Sequence, residues 1–125
     1  MVDRGRLHRE FLGRMPVMDR IPNEALVVRG GRNQPADLRR GTGIHPSGIT
    51  RVSVEWAEGM SAEDLAAALP HGQIGVTTVG AIRAAGGDVV RTVGRSPHHA
   101  TLVGLSPEEA SRLLTPAIPN PAKKP

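Results

Sequence analysis

Apolar residues along this chain come in short bursts separated by glycine and proline, and the spacing inside each burst predicts an element. Leu7, Phe11 and Met15 recur at helical spacing with Arg and His between them, predicting a short helix over residues 4–15 that Pro16 limits. Residues 16–24, with Pro16, Pro22 and Asn23, read as a linker. The apolar run ALVVRG at 25–30, stopped by Gly30-Gly31, predicts a strand. Residues 31–48 show no period and carry Gly31, Gly41, Gly43, Pro35 and Pro46, so they read as a long irregular loop, a feature that is often functional in a small domain. Residues 49–56 alternate, with Val52, Val54 and Trp56 on one face of a second strand.

The second half has clearer punctuation. Ser61 with Asp64 three residues on is a variant capping box, opening a helix over 61–69 that Pro70 and Gly72 end. A short strand at 74–77 is followed by a short helix at 78–85, closed by Gly86-Gly87. Strands follow at 88–93, with Val89 and Val93 on one face, and at 100–103. Ser106-Pro107-Glu108-Glu109 places a cap, a proline at the first helical position and the reciprocal Glu, predicting a helix over 106–114. Pro116, Pro119, Pro121 and Pro125 predict an extended, flexible tail. The expectation is a small single-domain α+β fold, with a mixed or antiparallel sheet of about four to five short strands and three to four short helices. Its organisation is a basic N-terminal helix and linker (1–24), a globular domain (25–115) and a Pro-rich flexible tail (116–125).

The chain has 125 residues, which fits one domain with one core. It has no cysteine, so disulfides, thiolate metal sites and cysteine nucleophiles are excluded. Residues 1–10 are charged and contain no apolar signal region, and no apolar run approaches the roughly 18–20 residues of a membrane helix. A soluble, cytoplasmic protein without a membrane partner is expected. The net charge of +4 is unevenly placed: up to Arg40 there are nine basic residues against five acidic ones, and from Gly41 on the two signs balance at seven each. A basic N-terminal stretch attracts a polyanion such as RNA, although a solvated charged arm has the same composition. Phe11 and Trp56 are the only aromatic residues, which excludes a base-stacking platform.

Three segments carry candidate chemistry. Arg29 at the end of a strand, followed by Gly30 and Gly31, offers a guanidinium and backbone N–H groups to a phosphate; the plain alternative is a strand ending in a glycine turn. The run GTGIHPSG at 41–48 lacks the Walker pattern, and in it only His45 has acid–base chemistry. If a strand begins at His99, then His99 and Thr101 share a face and can both touch a phosphate, with His98 pointing the other way. This His98-His99-Ala100-Thr101 run resembles the His-His strand of RNA 2′-phosphotransferases and related ADP-ribosyl-transfer folds, which also carry an Arg on an early strand. Thr101 stands where that strand has its second histidine. The resemblance implies nucleotide transfer, and NAD as cofactor under that reading alone; otherwise no cofactor is expected. No H-E-x-x-H, H-x-H or carboxylate-His cluster occurs, so no metal site is predicted.

The leading expectation is a small basic enzyme acting on RNA or a nucleotide, by phosphoester cleavage or ADP-ribosyl-type transfer, in the style of small bacterial toxins. His45, His99 and Thr101 are the expected catalytic residues, and Arg29, Gly30, Gly31 and His98 the expected substrate-binding ones. One alternative is a winged-helix DNA-binding protein over residues 61–105, with the 78–85 helix reading DNA and Arg91 and Arg95 in the wing. The other is a protein-interaction module of immunity or antitoxin type that uses the arm and the tail. Nothing in the sequence specifies an oligomeric state.

Overall fold

Alternating apolar positions build a single six-stranded sheet in the computed structural model, which describes residues 20–42, 48–94 and 96–123. The strands are β1 (Leu26–Gly30), β2 (Arg51–Ala57), β3 (Gln73–Thr78), β4 (Asp88–Arg91), β5 (His99–Val103) and β6 (Ile118–Pro119). The helices among the described residues are α1 (Pro35–Thr42), α2 (Ala62–Ala66), α3 (Val79–Ala84) and α4 (Pro107–Leu114). The sheet order is β4-β5-β2-β1-β3-β6, and every neighbouring pair is antiparallel. This is the expected α+β domain, with a wholly antiparallel sheet and one strand more than expected. The helix predicted over 4–15 lies outside the described residues, as do His45 and Arg95. No helix among the described residues is long and apolar enough to cross a membrane.

Side chains on a strand alternate between faces, and the two faces of this sheet are treated differently. On one face Val27, Val52, Val54, Val89, Ala100 and Leu102 pack with Leu38 of α1, Val79 and Ile82 of α3, and Ala110 and Leu114 of α4. On the other, Val28, Ile74 and Ala57 pack with Leu65 and Ala66 of α2, so the cover reaches β1, β3 and the last residue of β2. Over β2, β5 and β4 this second face carries Arg51, Ser53, Glu55, His99, Thr101, Val103 and Val90, and none of them is buried. The fold thus has a fully roofed face and a half-roofed one.

The long loop expected at 31–48 contains α1. Pro35 is its first residue, and Asp37 reaches back to accept from the Gln34 backbone N–H at 3.1 Å. Of residues 35–40 only Leu38 enters the core, so no helical period appears in the sequence. The strand expected to reach Val93 ends at Arg91, because its partner β5 begins only at His99, and Val93 is fully exposed. The helices α2 and α3 lie on opposite faces of the sheet. They therefore do not form the adjacent pair that a winged helix needs, and the β4–β5 hairpin is the sheet's edge rather than a free wing.

The segment after Pro116, expected to be a flexible tail, is pinned. Ile118 and Pro119 pair with Ile74 and Gln73. Asn120 is buried; its Nδ2 donates to the His71 carbonyl at 2.9 Å and its backbone N–H to the Gly72 carbonyl at 2.8 Å. Substituting Asn120→Ala removes the side-chain donor from the His71 carbonyl and keeps the backbone bond to Gly72. It is expected to cost about 1–3 kcal/mol in denaturant unfolding.

The opposite edge is tied by Arg83 of α3, which donates to Asp88 Oδ1 at 2.8 Å and to Asn23 Oδ1 at 2.6 Å. Burial alone would raise the Asp88 carboxyl, but the Arg83 hydrogen bond, the Val89 backbone N–H and the charges of Arg83 and Arg20 together hold it below its ordinary value. A carboxyl lowered on folding stabilises fully above its unfolded value and loses that contribution as pH falls through the folded one. Thermal unfolding followed as pH is lowered through and below the ordinary Asp range should therefore show a drop in midpoint that Asp88→Asn reduces.

Candidate functional site

The half-roofed face holds a cleft of about 820 Å³, lined by Glu55, Met60, Asp64, Leu69, Gly94 and residues 96–99, with Ala67 and Ala68 completing the wall. Its position follows from the register. Glu55 of β2 pairs directly with His99 of β5, and Ser53 with Thr101. Directly opposed side chains on one face have Cβ atoms about 4.5–5.5 Å apart, so the two residues leave the sheet side by side. They face the cleft because their strand neighbours, Val54 beside Glu55 and Ala100 beside His99, are committed to the core.

His99 is oriented by its surroundings. Thr92 Oγ1 lies 2.7 Å from His99 Nδ1 and 3.0 Å from Thr101 Oγ1. The Thr92 backbone N–H donates to the His99 carbonyl, closing the end of the hairpin. A Cβ at Gly94 would lie 2.4 Å from His99 Cγ, so the loop crosses the ring at a distance only glycine permits. With Nδ1 taken by Thr92, Nε2 is the nitrogen left for a ligand. Glu55 contributes an acceptor that nothing else uses: its Oε1 is buried and has no hydrogen-bond partner.

A smaller cavity of about 180 Å³ joins this floor on the β1 side, lined by Gly30, Ser53, Glu55, Leu69 and His71. The His71 ring rests on the β1 backbone, where a Cβ at Gly30 would lie 2.0 Å from Nδ1. Arg51 lies on the same sheet face beyond Ser53, in a shallow groove with Ile49, Val90, Thr92 and Thr101. Among the described residues no three His, Cys, Asp or Glu side chains converge as a metal would require.

The residues singled out from sequence divide into those that meet and those that do not. His99 and Thr101 share the open face as expected, and His98 lines the same cleft, where the reading from strand alternation had it pointing away. His98 precedes the strand, in the turn that Ser96 caps by accepting from the His98 backbone N–H at 2.9 Å. Arg29 pairs with Gly75, whose missing side chain faces Leu114 of α4, so its guanidinium is on the roofed face, opposite His99. Burial lowers the Arg29 pKa against the pull of Asp37, and Nε has no hydrogen-bond partner. The glycines do not form the expected phosphate cradle. Gly30 is covered by His71, and the Gly31 N–H donates to the Gln73 carbonyl at 2.8 Å. His45 lies outside the described residues.

Glu55, His71, Thr92 and Arg51 went unrecognised in the sequence. The signal for Glu55 was present, since it sits in an alternating strand on the face opposite Val52 and Val54. His71 had none, because its place depends on a turn folding back onto Gly30. Comparison with known proteins finds no family model, no curated protein and no solved structure that matches this chain.

Replacing Gly30→Ala puts a methyl group where the His71 ring lies. The expected result is displacement of that ring from the floor, read as altered His71 side-chain resonances, with the unfolding midpoint little changed because His71 is exposed on its other side.

Proposed function

We propose that the protein is an acid–base enzyme that cleaves a phosphoester of RNA or of a nucleotide on the open face of its sheet. The observation that carries the reading is the pairing of Glu55 with His99, a buried unpartnered carboxylate oxygen beside an imidazole whose Nδ1 is already held. General acid–base chemistry needs a base within reach of the attacking hydroxyl and an acid within reach of the leaving oxygen. In this reading Glu55 takes the proton of the attacking hydroxyl, the new P–O bond forms as the leaving P–O bond breaks, and Nε2–H of His99 protonates the leaving oxygen. The Ser53 and Thr101 hydroxyls donate to the phosphate oxygens, and Arg51 on the same face offsets their charge.

Cleavage is favoured over ADP-ribosyl transfer because the glycine pair that would receive a dinucleotide's phosphates is engaged within the chain. The reading requires no cofactor and no metal. A cleft of about 820 Å³ suits a ligand of nucleotide size. Its Met60, Leu69 and Pro97 wall gives a base an apolar surface in place of an aromatic one.

The test is cleavage of RNA oligonucleotides and nucleoside phosphodiesters by the wild type and by the His99→Ala and Glu55→Gln variants. Loss of one partner of an acid–base pair is expected to lower kcat by about 10²–10⁴-fold while the circular dichroism spectrum stays unchanged. A wild type inert towards every such substrate, or a fully active His99→Ala variant, would falsify the assignment.

A further inference from the structure

His99 is held by a hydroxyl chain and not by a carboxylate, and the difference has consequences for what the ring can do. Glu55 faces it from β2, Asp64 from α2 and His98 from the preceding turn, and these are the titratable groups lining the same cleft. Its own Nδ1, however, meets only Thr92 Oγ1 at 2.7 Å, which in turn meets Thr101 Oγ1 at 3.0 Å. A carboxylate at Nδ1 can only accept, so it fixes the proton there. A hydroxyl both donates and accepts, and its hydrogen rotates to suit its neighbours.

Two arrangements of the chain use the same heavy-atom positions. In one, Nδ1–H donates to Thr92, Thr92 donates to Thr101, and Nε2 presents a bare lone pair to the cleft. In the other, Thr101 donates to Thr92, Thr92 donates to Nδ1, and Nε2–H points into the cleft. Each makes the same number of hydrogen bonds, and changing between them rotates the two hydroxyl hydrogens and exchanges the ring proton between Nδ1 and Nε2 by way of the solvent or group in the cleft. The ring itself stays in place because Gly94 lies against it.

We propose that Thr92, backed by Thr101, is a positioning residue that holds the His99 ring while leaving both neutral tautomers accessible, so that this one histidine serves as acid in one step and base in the next. The step sequence rests on the phosphoester reading above. It extends that reading to a two-stage reaction, in which Nε2–H first protonates the leaving oxygen while Glu55 takes the attacking proton, and Nε2 then takes a proton from the second attacking hydroxyl or water while Glu55 returns its own to the second leaving oxygen, with no net change in the protein. The tautomer claim itself stands on the geometry of three residues and is tested without substrate.

The measurement is the pair of ring ¹⁵N resonances of His99 in the full-length protein, above the pH at which the ring loses its charge. The wild type should show both nitrogens at intermediate shifts, reporting mixed tautomers, and Thr92→Ser should reproduce them. Thr92→Val removes the hydroxyl at nearly constant shape and should move both shifts towards those of a free histidine side chain, with loss of contacts between the ring and Gly94. Should Thr92→Val fail to fold, Thr92→Ala removes the same hydroxyl with a smaller side chain and should move both shifts in the same direction. A wild-type ring locked in one tautomer, or unchanged shifts in the hydroxyl-deleted variant that folds, overturns the proposal. If the resonances behave as expected while the protein cleaves no phosphoester, the positioning role of Thr92 stands and the reaction assigned to the cleft falls.

Discussion

Glu55 stands opposite His99 because Val52 and Val54 must face the helices. On β2 the core-facing and cleft-facing residues alternate without interruption, and β5 alternates in step through Ala100 and Leu102. A slip of one residue in either strand would turn valine to solvent and glutamate to the core, which the burial of four side chains in the roofed face forbids. The energy that places the candidate acid–base pair is therefore the hydrophobic energy of the opposite side of the sheet. The pair needs no attraction of its own to meet. This leaves Glu55 with an unused acceptor, where a group placed by its own hydrogen bonds would have none to spare.

A second dependence runs from the chain's end to the same site. His71 rests on Gly30 only if the turn after α2 is held against β1, and that turn is held by Asn120, which accepts its place through bonds to the His71 and Gly72 backbone. The prolines that mark the last segment as non-helical also suit it to an edge strand, where one side needs no backbone donors. Residues 116–123 thus act as a strap on the outer side of β3, and the site on the inner strands inherits its shape from them.

Much of the fold was legible along the chain because it is written in local terms. The Ser106-Pro107-Glu108-Glu109 box caps α4 as its residue types require, with Ser106 and Glu109 bonding each other's backbone, and Ser61 and Thr78 cap their helices by accepting from the backbone N–H three residues on. Helix α1 escaped because one buried leucine sets no period, and its Pro35 punctuates a start as readily as a break. The site was half legible. His99 and Thr101 were found by alternation, which is local, but Arg29 was joined to them by chemistry alone. Residue type cannot say which face a strand residue takes until a partner strand fixes it, and Gly75 opposite Arg29 gives that face away only in the folded sheet.

Charge follows a different division from chemistry. The described residues carry ten Arg and Lys against nine Asp and Glu, and the cleft itself brings Glu55 and Asp64 close to its histidines. All of the chain's excess positive charge belongs to the first 40 residues, where residues 1–19 contain four Arg against three acidic residues and residues 20–40 five against two. A polyanion approaching this protein is drawn by long-range fields of several kT that salt screens within about 10 Å at 0.1 M. A group bound in the cleft, by contrast, is held by short contacts that salt hardly touches. Attraction and chemistry on this molecule thus respond to different variables. On the proposed phosphoester reading, ionic strength would govern how often a polyanionic ligand arrives, and the β2–β5 register would govern what meets it there.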